Sequence, residues 1–246
     1  YKLYFSLAGR LLLYGDRVKR LLVRRGFDPE RIWVVYNSLD YERQLKLRDR
    51  KCRTHLLQDH FGNDLPVIAF VSRFTPQKRV PVLIEAVAEL LHRGIGCNLL
   101  LVGDGEEQEV LKALAAERGI TEHVWFYGSC YDPETIACLW KESVLCLCPG
   151  QTGLLAMQAM MYGRPVITHD NVSFQGEEVE AILPGRTGDF FREGDLDDLC
   201  NRTAEWIARL NDPEERKAVA DACYEVIDSR YNPECQLSVI KEALKS

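Results

Sequence analysis

From residue 65 onward, apolar and polar positions alternate in two kinds of block. Residues 65–72 (LPVIAFVS) form a near-continuous apolar run, as expected of a parallel strand buried on both faces. A helical stripe follows, with Leu83, Ile84, Val87, Leu90 and Leu91 on one side and Pro81 in the first turn. Residues 98–102 (NLLLV) read as the next strand, ended by Gly103-Asp104-Gly105, and 106–118 as a helix stopped by Gly119. Residues 123–127 (HVWFY) are a strand, and Asp132-Pro133-Glu134 opens a helix as N-cap, N1 and N2. A strand at 144–148, a helix at 154–162 ended by Gly163 and a strand at 165–168 complete the run. Strands alternating with helices imply an α/β fold, a Rossmann-like doubly wound parallel sheet with right-handed crossovers. A short strand near 187–191 and helices near 195–210, 213–229 and 233–245 come after it.

The start of the chain is different. Residues 10–14 read as a short strand, 16–25 as a helix and 32–36 (IWVVY) as a strand, whereas 37–53 are polar, charged and without clear periodicity. The pattern therefore divides the chain into a remnant of a preceding domain (1–40), a linker (41–60), the Rossmann-like domain (61–212) and C-terminal helices that pack back (213–246). Residues 1–40 are too few to bury a core of their own.

Composition narrows the classes. With 246 residues, 46% of them hydrophobic and 28% charged, the chain is no disordered tail, collagen-like repeat or small disulfide scaffold. No run approaches the ~18 apolar residues of a membrane-spanning helix. Tyr1 opens in mid-pattern with no charged and apolar leader, so the expectation is a piece of a longer chain without a signal peptide. The net charge of −6 hides an asymmetry, because residues 1–53 carry 14 Lys/Arg against 6 Asp/Glu while the remainder is strongly acidic. An acidic body excludes a nucleic-acid binder. The basic head offers contact to anionic lipid or a partner, although a solvated helix face is the preferred reading. The nine cysteines are scattered without a CxxC pair, which favours buried free thiols in a reducing compartment over a metal site.

In an open α/β sheet, ligands bind at the carboxyl ends of the strands, near the switch in strand order. Three loops leave those ends with chemistry. Residues 72–78 (SRFTPQK) bring Arg73 and Lys78 together, a fork and a point charge suited to a diphosphate. Gly103-Asp104-Gly105 lacks the third glycine of a dinucleotide fingerprint, and Glu106, Glu107 and Glu109 would repel a pyrophosphate, so it reads as a tight turn. Residues 149–154 (PGQTGL) lead into a helix whose first turn carries no acid. Gly150 and Gly153 there let a ligand approach the backbone, and Gln158 projects an amide towards the same cleft. His55, His60, His92 and His123 read as structural or solvated, while His169-Asp170 ends a strand on the ligand-binding edge.

Together SRFTPQKRVPVLIEA, LLLVGDGEE, VWFYGSC, GLLAMQAMMYGRPVIT and GRTGDFF, in this order and spacing, resemble the C-terminal domain of the retaining family 4 glycosyltransferases of the GT-B fold. GFDPERIWVVYNSLD resembles the end of that family's N-terminal domain. The resemblance implies sugar transfer with retention from a nucleotide-diphosphate sugar to a polysaccharide or glycolipid acceptor, without metal or cofactor. Its setting would be a bacterial cytoplasm, at the inner face of the membrane, with peripheral contact through the N-terminal half. Arg73, Lys78, Gly153 and Leu154 match the positions that hold the donor diphosphate, and Ser129 and Cys130 those that read the base. The partner it implies is the N-terminal acceptor domain. No catalytic residue carries over, so the chain alone would be an incomplete, inactive enzyme. Two family glutamates are replaced by Gly150 and Gln158, leaving Gln158, Gln151 and Thr152 for ribose and sugar. Loss of both carboxylates keeps open a non-catalytic module that binds a nucleotide or a partner enzyme. A GT-B phosphorylase or epimerase is a third reading.

Overall fold

A computed structural model describes Phe5, residues 7–52 and residues 55–245. The head is a two-stranded parallel sheet, β1 (Leu11–Leu13) beside β2 (Ile32–Val34), connected through helix α1 (Asp16–Arg24). Next come two short helices, α2 (Tyr41–Asp49) and α3 (Leu56–Phe61). The expected linker at 41–60 is thus largely helical. Its helices are held by partners far along the chain: Arg48 forms a double hydrogen bond with Asp228, the Tyr41 hydroxyl donates to the same carboxylate, and the Leu57 amide donates to Glu142. Local periodicity carries no trace of such contacts. Residues 53–54 of the linker lie outside the described residues.

The main sheet has six parallel strands: β3 (Val67–Val71), β4 (Asn98–Val102), β5 (Val124–Gly128), β6 (Leu145–Cys148), β7 (Val166–His169) and β8 (Gly188–Phe191). Their spatial order is β5-β4-β3-β6-β7-β8, so the order in which successive strands are added reverses between β3 and β6, all strands staying parallel. The connecting helices are α4 (Pro81–His92), α5 (Gln108–Glu117), α6 (Pro133–Glu142) and α7 (Leu154–Met161). Asp132 caps α6 as its sequence position implies, accepting from the Thr135 amide at 2.9 Å. Ile68, Ala69 and Phe70 on β3, Leu99–Leu101 on β4 and all of β6 are fully buried, the two-sided cover that a parallel sheet requires.

The C-terminal helices α8 (Leu196–Leu210), α9 (Pro213–Arg230) and α10 (Pro233–Lys245) pack back over the sheet towards the head. The Tyr231 ring meets that of Tyr36 at a tilt, with centroids 5.2 Å apart, and Gln236 donates to the Tyr36 carbonyl. Burial and the neighbouring Asp16 carboxylate push the Tyr36 phenol up to about 12.

The cysteines depart from expectation. Cys52 and Cys138, with Cα atoms 5.6 Å apart, form a disulfide that ties the segment after α2 to α6. Cys97, Cys146, Cys148, Cys200 and Cys223 are buried free thiols as expected, whereas Cys130 and Cys235 are partly exposed. The pairing of Cys52 with Cys138 follows from the docking of the linker, which the spacing of the cysteines does not encode.

Candidate functional site

Two loops meet at the switch point, one leaving β3 and the other β6. The first is pinned by Phe74, whose ring is fully buried and whose amide donates to the Asp104 carbonyl at 2.7 Å. Gly103 and Gly105 lie against this loop, and a Cβ on either would stand 2.0 Å from the Ser72 oxygen or 2.3 Å from the Phe74 oxygen. The Gly-Asp-Gly turn is therefore packing that aims Arg73. The Arg73 side chain is exposed and has no hydrogen bond or ion pair among the described residues. Lys78 is half-buried and donates to the Gln151 carbonyl at 2.5 Å, which fixes its ammonium at the seam between the loops. Arg79 adopts a left-handed conformation (φ 52°), unusual for a side chain with a Cβ, and is held there by an ion pair with Glu193 at 2.6 Å and by the Phe174 ring.

The second loop holds no charge. Gly150 does not open the backbone to a ligand as expected. A Cβ at this position would lie 2.2 Å from the Gln77 oxygen and 2.6 Å from the Lys78 carbonyl carbon, so glycine is required for the two loops to pack. Gly153 does fulfil the expectation: it precedes α7 with φ 51° and ψ −145°, and nothing lies within 4 Å of where a Cβ would stand. Among the described residues the Gly153 and Leu154 amides have no acceptor, whereas the Gln151 amide donates to the Gln77 carbonyl and the Thr152 amide to Gln175. Two free N–H groups at a helix start form an anion cradle.

Arg73, Lys78, Thr152, Leu154 and Gln158 line one cleft of about 440 Å³, together with Leu39 from the end of the head. Gln158 is half-buried and its amide has no partner among the described residues. A second cleft of about 180 Å³ runs between Asp104, Ser129, Cys130 and Tyr131, and the two share Val71, Ser72 and Arg73. Ser129 donates to the Asp104 carboxylate at 2.5 Å, which sets an acceptor group in this second cleft. Asp104 was read from sequence only as part of a turn. Tyr131, 90% exposed beside it, carried no signal at all.

Thr152 does not meet its expectation, and His169, although it ends β7 as expected, turns away from the cleft. Thr152 is buried, and both its amide and its hydroxyl are taken by the Gln175 oxygen at 2.9 and 3.1 Å, so it is unavailable to a sugar. His169 is also buried and faces inward, its Nε2 2.9 Å from the Gln175 amide nitrogen. The other ring nitrogen, Nδ1, has no partner among the described residues. Burial, first of all, lowers the His169 pKa and keeps the ring neutral. Gln175 is the residue that sequence reasoning missed. Its side chain joins the Thr152 amide, the Gly150 carbonyl, the Thr168 hydroxyl and His169, yet it sits in VSFQG, a segment without periodicity or motif.

Among the described residues there is no group of three or more His, Cys, Asp or Glu placed to hold a metal, and no helix long and apolar enough to cross a membrane. The other four histidines are accounted for locally: His60 stacks on Trp125 at 3.9 Å, His123 meets Asn98, and His55 and His92 are exposed.

A family model described as Glycosyl transferases group 1 matches residues 57–225. The alpha-D-kanosaminyltransferase of Streptomyces kanamyceticus is 28% identical over 231 residues, covering 92% of this chain and 57% of the relative. The D-inositol 3-phosphate glycosyltransferase of Nocardia farcinica is 30% identical over 206 residues, covering 80% of this chain and 42% of the relative. This chain thus spans about half the length of the curated relatives it matches. Among solved structures, the apo lipopolysaccharide outer core galactosyltransferase WaaB superposes with a TM-score of 0.74 at 22% identity, over 97% of this chain and 62% of that one. HepE of Anabaena, in complex with UDP and glucose, superposes with a TM-score of 0.73 at 22% identity, over 97% and 63%.

Proposed function

The chain belongs to the group 1 glycosyltransferases, and we propose that it is the donor half of such an enzyme, binding a nucleotide-diphosphate sugar for retaining transfer. The observation that carries this reading is the meeting of two clefts at Arg73 across the switch in strand order. One cleft offers two cations and two free amides, the chemistry of a diphosphate. The other offers Ser129, Cys130 and the Asp104 carboxylate, groups that read a base. HepE, which shares the fold, is known in complex with UDP and glucose.

The roles follow from the geometry. Arg73 swings onto the diphosphate, Lys78 meets it from the loop seam, and the Gly153 and Leu154 amides receive its terminal phosphate. As the sugar departs, negative charge grows on the nucleotide diphosphate, and these fixed donors stabilise it without reorganising. No metal is needed for that step, because the cations and the helix start supply the positive charge. Gln158 donates to a ribose hydroxyl and Gln151 lies at the sugar end. We assign the acceptor, a polysaccharide or glycolipid, to an N-terminal domain, and these residues to the donor side of the reaction. That domain is also where peripheral contact with the membrane would lie.

The test is thermal unfolding of this chain with a panel of nucleoside diphosphates. A ligand at 100 times its dissociation constant adds ~2.7 kcal/mol, a rise of roughly 5–10 °C for a chain of this size. No shift with any nucleotide would reject the donor reading. A second reading, a non-catalytic module that binds a partner enzyme, draws on Gly150: the loop packing leaves no room for a side chain where the resemblance places a carboxylate.

A further inference from the structure

Arg17, the second residue of α1 in the head, reaches across to the segment that follows β7. Its backbone amide donates to Glu180 Oε1 at 2.5 Å, while the Asp16 amide donates to Oε2 of the same carboxylate at 2.9 Å. The start of α1 is thus capped by a residue 164 positions away. The guanidinium does more. Nη1 donates to the Val172 carbonyl, and Nη2 donates to the Gln175 carbonyl at 3.2 Å and to the Glu177 carboxylate at 2.9 Å. One planar fork therefore holds both ends of the turn 172–177.

That turn has one side chain directed into the loop after β6. Gln175 accepts from the Thr152 amide and donates to the Gly150 carbonyl at 3.1 Å, and the turn lies flush with Gly153, since a Cβ on Gly176 would stand 3.6 Å from the Gly153 Cα. We propose that Arg17 is a positioning residue for the donor cleft: by fixing the carbonyls of Val172 and Gln175 it holds the Gln175 amide in place, and so sets the direction of the Gly153 and Leu154 amides. The inference rests on the donor reading for its ligand, but the mechanical link from head to loop does not. A lysine has no planar fork and cannot hold both carbonyls and Glu177 at once. The head and the phosphate cradle are then one unit, and any displacement of the head is felt at the cradle.

The experiment compares the wild type with Arg17→Ala, Arg17→Lys and, as a control, Arg186→Ala, which breaks only the surface pair with Glu225. Two quantities are read: amide hydrogen exchange across 149–155, and affinity for UDP and GDP beside uridine and guanosine. Arg17→Ala is expected to speed exchange at Thr152 about tenfold, the loss of one charge-assisted contact. It should weaken the diphosphate by a similar factor and leave the matched nucleoside unchanged. Arg17→Lys should fall between the two, and Arg186→Ala should change neither. Unchanged exchange at Thr152 overturns the proposal, as does acceleration spread evenly over β3, β4 and β6, which marks general destabilisation. Exchange that responds in a chain whose wild type binds neither nucleotide supports the link and rejects the donor reading instead.

Discussion

The loops leaving β3 and β6 face each other across the switch point and are built on opposite principles. The β3 loop is exposed and charged, with Arg73 free to move and a left-handed residue, Arg79, beside Lys78. The β6 loop is uncharged, mostly buried and locked by Gln175, so that it offers backbone amides and the exposed Gln151 side chain. One loop presents side-chain charge and the other presents fixed backbone dipoles. Their contact at Gly150 explains why the chain does without the carboxylate expected there, since that side chain and this packing exclude one another.

The largest test of the contrast is Gly150→Glu. If the loops need the close approach, the new side chain must push the Gln77 and Lys78 backbone aside, at a cost of about 3 kcal/mol, the upper range for overpacking. Chemical denaturation of the variant measures it, and wild-type stability would show that the loops yield freely. Gln175→Ala comes next. It leaves the buried Thr152 amide without its acceptor and the Gly150 carbonyl with only the weak Cys148 thiol donor, and should cost about 2 kcal/mol, with weaker binding of a nucleoside diphosphate but normal far-ultraviolet circular dichroism. An unaltered midpoint would remove Gln175 from the account.

A smaller effect is read with pH. Burial lowers the His169 pKa, so the unfolded chain takes up a proton at that residue before the folded one does. Stability contributed by neutral His169 is present above the ordinary histidine value and falls as pH drops below it, by at most about 1.4 kcal/mol per unit. His60, also lowered by burial, acts in the same direction. A His169→Gln variant should therefore show a shallower decline between about pH 6.5 and pH 5, and an identical slope would mean His169 does not titrate in that window. The smallest effect belongs to Gln158→Glu. The side chain is half-buried in the cleft and unpartnered among the described residues, so stability should change by less than about 0.5 kcal/mol. The charged acceptor should tighten nucleotide binding several-fold. Set beside Gly150→Glu, it separates a carboxylate that the fold tolerates from one that it rejects.

What could be read from sequence follows the same division. The buried strands declare themselves as apolar runs, Asp132 as a cap and Gly153 as a break before a helix, because each signal is local. The grouping of Arg73, Lys78, Gly153, Leu154 and Gln158 at one edge of the sheet is legible because all lie at strand ends or in the first turns after them. The linker helix α2 is not, since its register is fixed by Asp228 and Lys141 rather than by its own pattern. Gln175 and Arg17 escaped for a related reason: their value lies in carbonyls and amides they reach across the fold, which no spacing of residue types announces. Thr152 shows the converse, a residue of the right chemistry in the right loop whose polar groups are already taken.

The central claim is that the cleft beside the switch point binds a diphosphate through Arg73, Lys78 and the amides of Gly153 and Leu154. Calorimetric titration of the wild type and the Arg73→Ala, Lys78→Ala double variant with UDP and GDP tests it most directly. The account predicts that one of the two nucleotides binds the wild type and that the double variant loses ~100-fold in affinity for it, while the corresponding nucleoside binds both proteins alike. Equal affinity of both proteins for the diphosphate, or no binding by the wild type, would contradict it.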